Sequence, residues 1–501
     1  MSTRKIALSV TWQLGSQAIT MMLGIVSVKF VTTALSRELV GNYHTVYSYL
    51  QIFGILADFG LYAVAVRELA NAKNRALTFQ TLFLLRACIT ALSLALALAL
   101  AFLLPAFRGT PLPLGILLGS LVPFFVLLSG VFRTLFQVEY RMHLIFIAEV
   151  LSKAVPVILM GLFLLSPIRA SEEAKHYYLF LFFGSAGSLL LFLTSLWFAR
   201  GLLTVYPGLP KVYHPEIWAE FRRILALAAP YGFVFLATTI YRQADVSLIA
   251  LLRSDYDLQN ASYGIALRIA EVAFLLPTLV MNSALPYLAT LHPKSEERPL
   301  FLGNIFLSLL TLGSIASLFA FFWARILALL LANPSYLSSS MHLGADSALK
   351  LLSIPMFLSM LITFSFYLLL LEHRWKSLLS LSIAAAIFSV ACNYILIPQF
   401  GFFGAGVTSI VTHLLLATSL SALTIYKVEV YLRFARVCQW FAFSLTMAGL
   451  LYFSSRFVPE SALGILAALS LASLILIPLL YVFSLIPQSI LPFKASSGDI
   501  D

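Results

Sequence analysis

The feature that most constrains this chain is a succession of long apolar stretches separated by short connections rich in Lys and Arg. A hydrocarbon layer takes roughly 20 to 22 helical residues to cross. Runs broken by charge, proline or glycine predict spans at 10–34, 43–66, 79–104, 112–132, 144–166, 177–198 and 224–252. A second set falls at 262–289, 300–331, 346–371, 377–397, 402–426, 437–453 and 462–485. Of the 501 residues 61% are apolar and 11% charged, against about 25% charged in soluble domains, so a water-soluble fold is excluded. Lipid cannot satisfy open backbone groups, and these runs are too long and too uniformly apolar for barrel strands. The expected fold is all-α and polytopic, with about fourteen transmembrane helices and no room for a soluble catalytic domain.

A net charge of +11 would elsewhere suggest nucleic acid, but in a membrane chain it is first a matter of topology. Alternating sides from a cytoplasmic N-terminus places nineteen Lys and Arg on the cytoplasmic side and six on the other. Both termini are therefore expected in the cytoplasm, and no nucleic-acid partner is expected. Arg4 and Lys5 precede a first span without a cleavage site, which reads as an uncleaved helix. The longest cytoplasmic connection carries Tyr206-Pro-Gly-Leu-Pro210 and an amphipathic stretch from Pro215 to Arg223. Trp218 and Phe221 suit the headgroup layer, and Arg222 and Arg223 suit anionic lipid. The expected organisation is an N-lobe over 1–200, a linker over 201–223, a C-lobe over 224–426, and two additional spans with a tail over 427–501. Six spans before the linker imply a parallel repeat about an axis along the membrane normal.

Seven basic residues, Lys29, Arg86, Lys153, Arg242, Arg268, Arg325 and Lys350, fall inside spans, with four acids, Asp58, Glu149, Asp245 and Glu271. A charge at mid-bilayer costs about 2.5 to 3.5 kcal/mol on insertion scales, so these groups should face a wet cavity or each other. Glu149 with Lys153 is spaced i,i+4, and Arg242 with Asp245 and Arg268 with Glu271 are spaced i,i+3, so mutual neutralisation on one helix face explains them as well as function does. Arg325, Lys350 and Arg86 lie near enough to span ends to snorkel. Lys29 and Asp58 have no in-helix partner; they are expected to pair across the first two spans or to serve a transport path separately. The interior balance is an excess of three positive charges, which suits an anionic, phosphate-bearing cargo.

Gln13, Gln17, Thr20, Gly24 and Ser27 form one stripe on the first span, read first as helix contact and second as a substrate surface. Pro123, Pro156, Pro230, Pro277, Pro286 and Pro355 can bend spans. Cys88, Cys392 and Cys438 have no disulfide or zinc spacing and read as small buried hydrophobes. There is no paired-carboxylate, Ser/His/Asp, metal-ligand or phosphate-cradling glycine pattern, so no enzyme, no cofactor and no metal are expected.

Several patches, ordered along residues 20–410, carry a resemblance. They are Leu35-Ser-Arg-Glu-Leu-Val-Gly-Asn-Tyr43, Leu56-Ala-Asp-Phe-Gly-Leu61, Val66-Arg-Glu-Leu69, Phe136-Gln-Val-Glu-Tyr-Arg-Met142 and Ile240-Tyr-Arg-Gln-Ala-Asp245. Tyr263-Gly-Ile-Ala-Leu-Arg-Ile-Ala-Glu271 with Leu285-Pro-Tyr-Leu288, and the run from Asn393-Tyr-Ile-Leu-Ile-Pro398 to Gly406, complete them. The sequence resembles the oligosaccharide flippases of the polysaccharide transporter family, within the multidrug/oligosaccharidyl-lipid/polysaccharide exporter superfamily. The resemblance implies twelve to fourteen helices in two lobes around a central cavity, moving polyprenyl-pyrophosphate-linked glycans to the outer leaflet of the plasma or inner membrane. It covers Asp58, Arg67, Arg242, Asp245, Arg268 and Glu271, but not Lys29, Arg86, Lys153, Arg325 or Lys350.

The leading expectation is a flippase working by alternating access. Lys29, Arg86, Lys153, Arg242 and Arg268 are the candidate cavity cations; Asp58, Glu149, Asp245 and Glu271 are the candidates for ion coupling or charge pairing. Expected partners are the bilayer, the lipid-linked glycan, and a glycan polymerase or glycosyltransferases. A cation-coupled drug exporter would want a more acidic, aromatic cavity. A membrane polymerase or ligase would need a larger outer loop than Ala332–Leu349, and a non-transporting scaffold stays open.

Overall fold

The computed structural model describes residues 3–165, 172–203, 215–292, 295–340, 342–483 and 485. The linker motif Tyr206-Pro-Gly-Leu-Pro210 lies outside the described residues. The chain is helical from α1 (Thr3–Ala34), α2 (Arg37–Asp58), α3 (Leu61–Asn71) and α4 (Arg75–Leu103) through α5 (Leu112–Gly119), α6 (Leu121–Val138) and α7 (Met142–Leu164). It continues with α8 (Glu173–Leu203), α9 (Pro215–Leu252), α10 (Tyr256–Thr290), α11 (Glu297–Phe322) and α12 (Ala324–Leu331). The last elements are α13 (Ala345–Leu371), α14 (Trp375–Phe400), α15 (Phe402–Lys427), α16 (Phe434–Ser454) and α17 (Ala462–Val482).

Among the described residues, thirteen helical segments are long and apolar enough to cross a membrane. The fourteenth expected span, 43–66, is a broken pair, α2 and α3. Its sequence explains the difference: α2 buries Asn42, His44, Thr45 and Ser48 and ends at Asp58. Phe59 and Gly60 are both left-handed, with φ of 40° and 73°. At Gly60 glycine is required twice over, since a Cβ there would also lie 2.5 Å from the Gly232 backbone nitrogen. The expected span 300–331 divides too, into α11 and α12 at Trp323, whose indole donates to the Leu451 carbonyl at 3.1 Å. Pro156, Pro230 and Pro355 lie inside α7, α9 and α13. The stretch 215–223, expected as linker, is the first turns of α9, with Trp218 exposed.

Two compact units emerge. The first comprises Met1–Ile265, Leu331–Tyr336 and Leu379–Ser409; the second comprises Ala266–Leu330, Leu337–Leu378 and Ile410–Asp501. Within the first, Leu61, Leu69, Leu85, Leu135, Phe136, Ala148 and Ile224 belong to one buried cluster joining α3, α4, α6, α7 and α9. Within the second, Met281, Leu302, Leu309, Met360 and Leu368 on α10, α11 and α13 belong to another, with Val428 just past α15. The cysteines depart from the expectation of full burial: Cys438 is exposed, and Cys88 and Cys392 are half-buried.

Candidate functional site

In the first unit the break after Asp58 organises the charges around it. Arg86, on the fourth turn of α4, is 3% exposed and forms an ion pair with Asp58. Asp58 therefore does not pair with Lys29, as expected from the first two spans. Lys29 Nζ instead donates to the Ala332 carbonyl at 3.0 Å, beside Thr32 Oγ1 on the Leu331 carbonyl at 2.5 Å. Both carbonyls belong to buried residues, so the two side chains satisfy enclosed backbone acceptors.

Glu149 on α7 also finds a partner that spacing did not suggest. Its Oε1 is 3.0 Å from Arg133 Nη1, and its other oxygen accepts from Ser16 on α1. Arg133 was expected in a connection, because the apolar run ends at 132; α6 continues to Val138 and carries it about 7 Å inside the helix end. The Arg133 guanidinium lies over the Tyr62 ring, 6.0 Å from its centroid. Lys153, one turn beyond Glu149, is exposed. Arg133 and Glu149 keep 24% and 18% side-chain exposure, so the pair lies at the edge of the packed helices rather than sealed among them. Of the stripe on α1, Ser27 makes a helix contact, its hydroxyl reaching Met160 Sδ on α7, whereas a Cβ at Gly24 would meet no atom within 4 Å.

Asp245 on α9 is the most enclosed acid, 1% exposed. Its oxygens accept from Tyr263 Oη at 2.7 Å and Asn393 Nδ2 at 2.8 Å, and Arg242, one turn away, is half-buried. Asn260 closes the same polar seam, donating to Thr45 Oγ1 and the Val246 carbonyl, each at 2.9 Å. Tyr256 donates to Asn42 at 2.9 Å. Just beyond the span, Arg253 grips Asp255 through two nitrogens and donates to the Pro398 carbonyl at 3.0 Å. That guanidinium holds the Asp255 carboxyl below the usual carboxylate range.

In the second unit Arg268 and Glu271 pair at 2.9 Å, as the i,i+3 spacing predicts, with 29% and 25% of each side chain exposed. Arg325 pairs with Glu460 at 2.7 Å where both are exposed, and Lys350 is exposed. The residues that charge placement missed, Arg133, Tyr263, Asn393 and Asn260, share a cause: one sat beyond a run boundary and three are neutral. Tyr263 and Asn393 do lie in the patches quoted for the resemblance. Among the described residues no group of three His, Cys, Asp or Glu side chains is arranged to hold a metal.

A family model described as "Polysaccharide biosynthesis protein" matches residues 6–292. No curated protein matches the chain. Among solved structures, one titled lipid II flippase MurJ, inward closed conformation, is similar at 11% identity and a TM-score of 0.66, over 95% of this chain and 98% of that one. An inward-facing multidrug resistance MATE family transporter of the MOP superfamily is similar at 14% identity and a TM-score of 0.60, over 81% and 94%. A MOP superfamily transporter from Pyrococcus furiosus, described as having a reversed binding-pocket polarity, is similar at 13% identity and 0.54, over 84% and 95%. At these identities the likeness is one of fold.

Proposed function

The chain belongs to the polysaccharide biosynthesis protein family, and on that premise we propose that it is a flippase for polyprenyl-pyrophosphate-linked oligosaccharide. It works in the plasma or inner membrane with both termini in the cytoplasm, and carries the headgroup to the outer leaflet by alternating access of its lobes. The observation that supports the reading is that membrane-spanning helices in each unit carry cationic side chains that are not sealed inside the protein: Lys153 in the first, Arg268 in the second. Accessible cations at membrane depth are costly unless water and an anionic cargo reach them. A pyrophosphate meets such groups with charge-assisted hydrogen bonds, Arg offering two at once.

The sequence candidates separate by these contacts. Each unit then offers its own candidates for an anionic headgroup, Lys153 and Arg242 in the first and Arg268, beside Glu271, in the second, whereas Arg86 is closed in its pair with Asp58 and Lys29 donates to the Ala332 carbonyl. Asp245 is the coupling acid: it is buried, its hydrogen-bond partners are neutral, and so its charge state stays free to change with a proton or a small cation. Asp58, by contrast, is ion-paired with Arg86. The MATE-like alternative, a cation-coupled drug exporter, gains support from the same buried acid but not from the accessible cations. Transfer of a labelled lipid-linked glycan between leaflets of proteoliposomes tests the proposal; transfer no faster than in protein-free vesicles refutes it.

A further inference from the structure

The break in the second span brings the Tyr62 ring against a planar ion pair inside the first unit, with Tyr231 beside the break itself. At Gly60 the backbone of α9 crosses so closely that a Cβ would lie 2.8 Å from Tyr231 Cβ, and Tyr62 follows two residues later at the start of α3. Both rings stay open, Tyr62 at 40% and Tyr231 at 36% exposure. Tyr62 lies beneath the Arg133 guanidinium, Arg133 holds Glu149 at 3.0 Å, and Ser16 fixes the other carboxylate oxygen. The ion pair keeps 24% and 18% side-chain exposure, so the pair and the tyrosine beneath it share one accessible surface.

This cluster differs in chemistry from the cations assigned to the pyrophosphate. Glu149 offsets the Arg133 charge, Ser16 and Tyr62 hold the pair in place, and the two together offer fixed donors and acceptors to neutral partners. A pyranose ring is such a partner: one face is a sheet of C–H bonds suited to an aromatic surface, and its edge carries adjacent hydroxyls suited to a guanidinium or carboxylate. We propose that Tyr62, Tyr231, Arg133 and Glu149 form a saccharide subsite that selects the glycan of the cargo; this rests on the flippase reading above. Lys153, one helical turn from Glu149 and about 6 Å along the axis, places a cation beside that surface, where a sugar-linked pyrophosphate would follow.

The test uses full-length protein in liposomes and two labelled probes: undecaprenyl pyrophosphate bearing a trisaccharide begun by an N-acetylhexosamine, and bare undecaprenyl pyrophosphate. The readout is the ratio of glycan-lipid to bare-lipid transfer. Tyr62→Ala should lower that ratio about tenfold, the equivalent of one lost aromatic stacking contact. Tyr62→Phe, which keeps the ring, should restore it. Tyr231→Ala, on a different helix, should give the same fall, so the outcome does not depend on a single variant folding. An unchanged ratio in both alanine variants while wild type moves both probes overturns the subsite and leaves the flippase reading standing. A wild type that moves neither probe overturns both.

Discussion

Asn393 on α14 donates to Asp245 on α9 at 2.8 Å, and with Tyr263 it gives a fully enclosed carboxylate two neutral donors. Neutral donors stabilise a buried carboxylate without fixing its charge, as a guanidinium would. Replacing the acid by its neutral isostere removes the titrating group but preserves its volume. Asp245→Asn should therefore yield folded protein whose transport no longer responds to an imposed proton or sodium gradient. Asn393→Ala should weaken the response by about tenfold, in keeping with about 1.5 to 3 kcal/mol for a hydrogen bond to a charged group. Flux measured under imposed gradients checks both; a gradient response surviving in Asp245→Asn would remove Asp245 from coupling.

The Asp58–Arg86 pair is structural in this account. With Arg86 3% exposed, Asp58→Ala strands a buried cation and should destabilise the protein by about 3 to 5 kcal/mol. The double variant Asp58→Ala/Arg86→Leu should recover much of that loss. Thermal unfolding in detergent measures it, and a single variant as stable as wild type would contradict the assignment.

Gly60→Ala should abolish folding or lower the yield of monodisperse protein severely. The left-handed backbone alone costs an L-residue about 1 to 2 kcal/mol, and the added carbon would meet the Gly232 nitrogen and the Ala228 carbonyl at 2.5 and 2.6 Å. Size-exclusion profiles of the purified variant decide it. A wild-type profile would mean that the break after Asp58 is not rigid.

Asp255 gives a pH dependence of defined sign. Arg253 depresses its carboxyl in the folded protein, so the stability it adds is present above the unfolded carboxylate value and is lost as pH falls through the folded one. Asp255→Asn should therefore lower the melting temperature at neutral pH, with the difference from wild type shrinking under acid conditions. A gap that widens on acidification would contradict the Arg253–Asp255 contact as the cause.

Much of this architecture is legible in the sequence because hydrocarbon leaves the backbone few choices. Long apolar runs become helices, and the Arg268–Glu271 pair follows from spacing on one helix. The break at Phe59 and Gly60 was hidden inside a run of adequate length; only the polar residues of α2 and the glycine hint at it. The partners of Asp58, Glu149 and Asp245 were not legible, since each lies on another helix. In-helix spacing offered Lys153 and Arg242, but lateral packing supplied Arg133 and the neutral pair Tyr263 and Asn393. Hydropathy also cut α6 short before Arg133, because a charge ends a run in the sequence without ending the helix.

If cations within the membrane carry an anionic lipid-linked glycan, its transfer between leaflets of proteoliposomes depends on them. Wild-type protein should move a labelled polyprenyl-pyrophosphate glycan to the opposite leaflet well above protein-free vesicles. Lys153→Ala, Arg242→Ala and Arg268→Ala should each slow it by about tenfold or more, as expected when a charge-assisted hydrogen bond to phosphate is lost. Wild-type transfer equal to that of empty vesicles, or full transfer by the triple variant, would contradict the account.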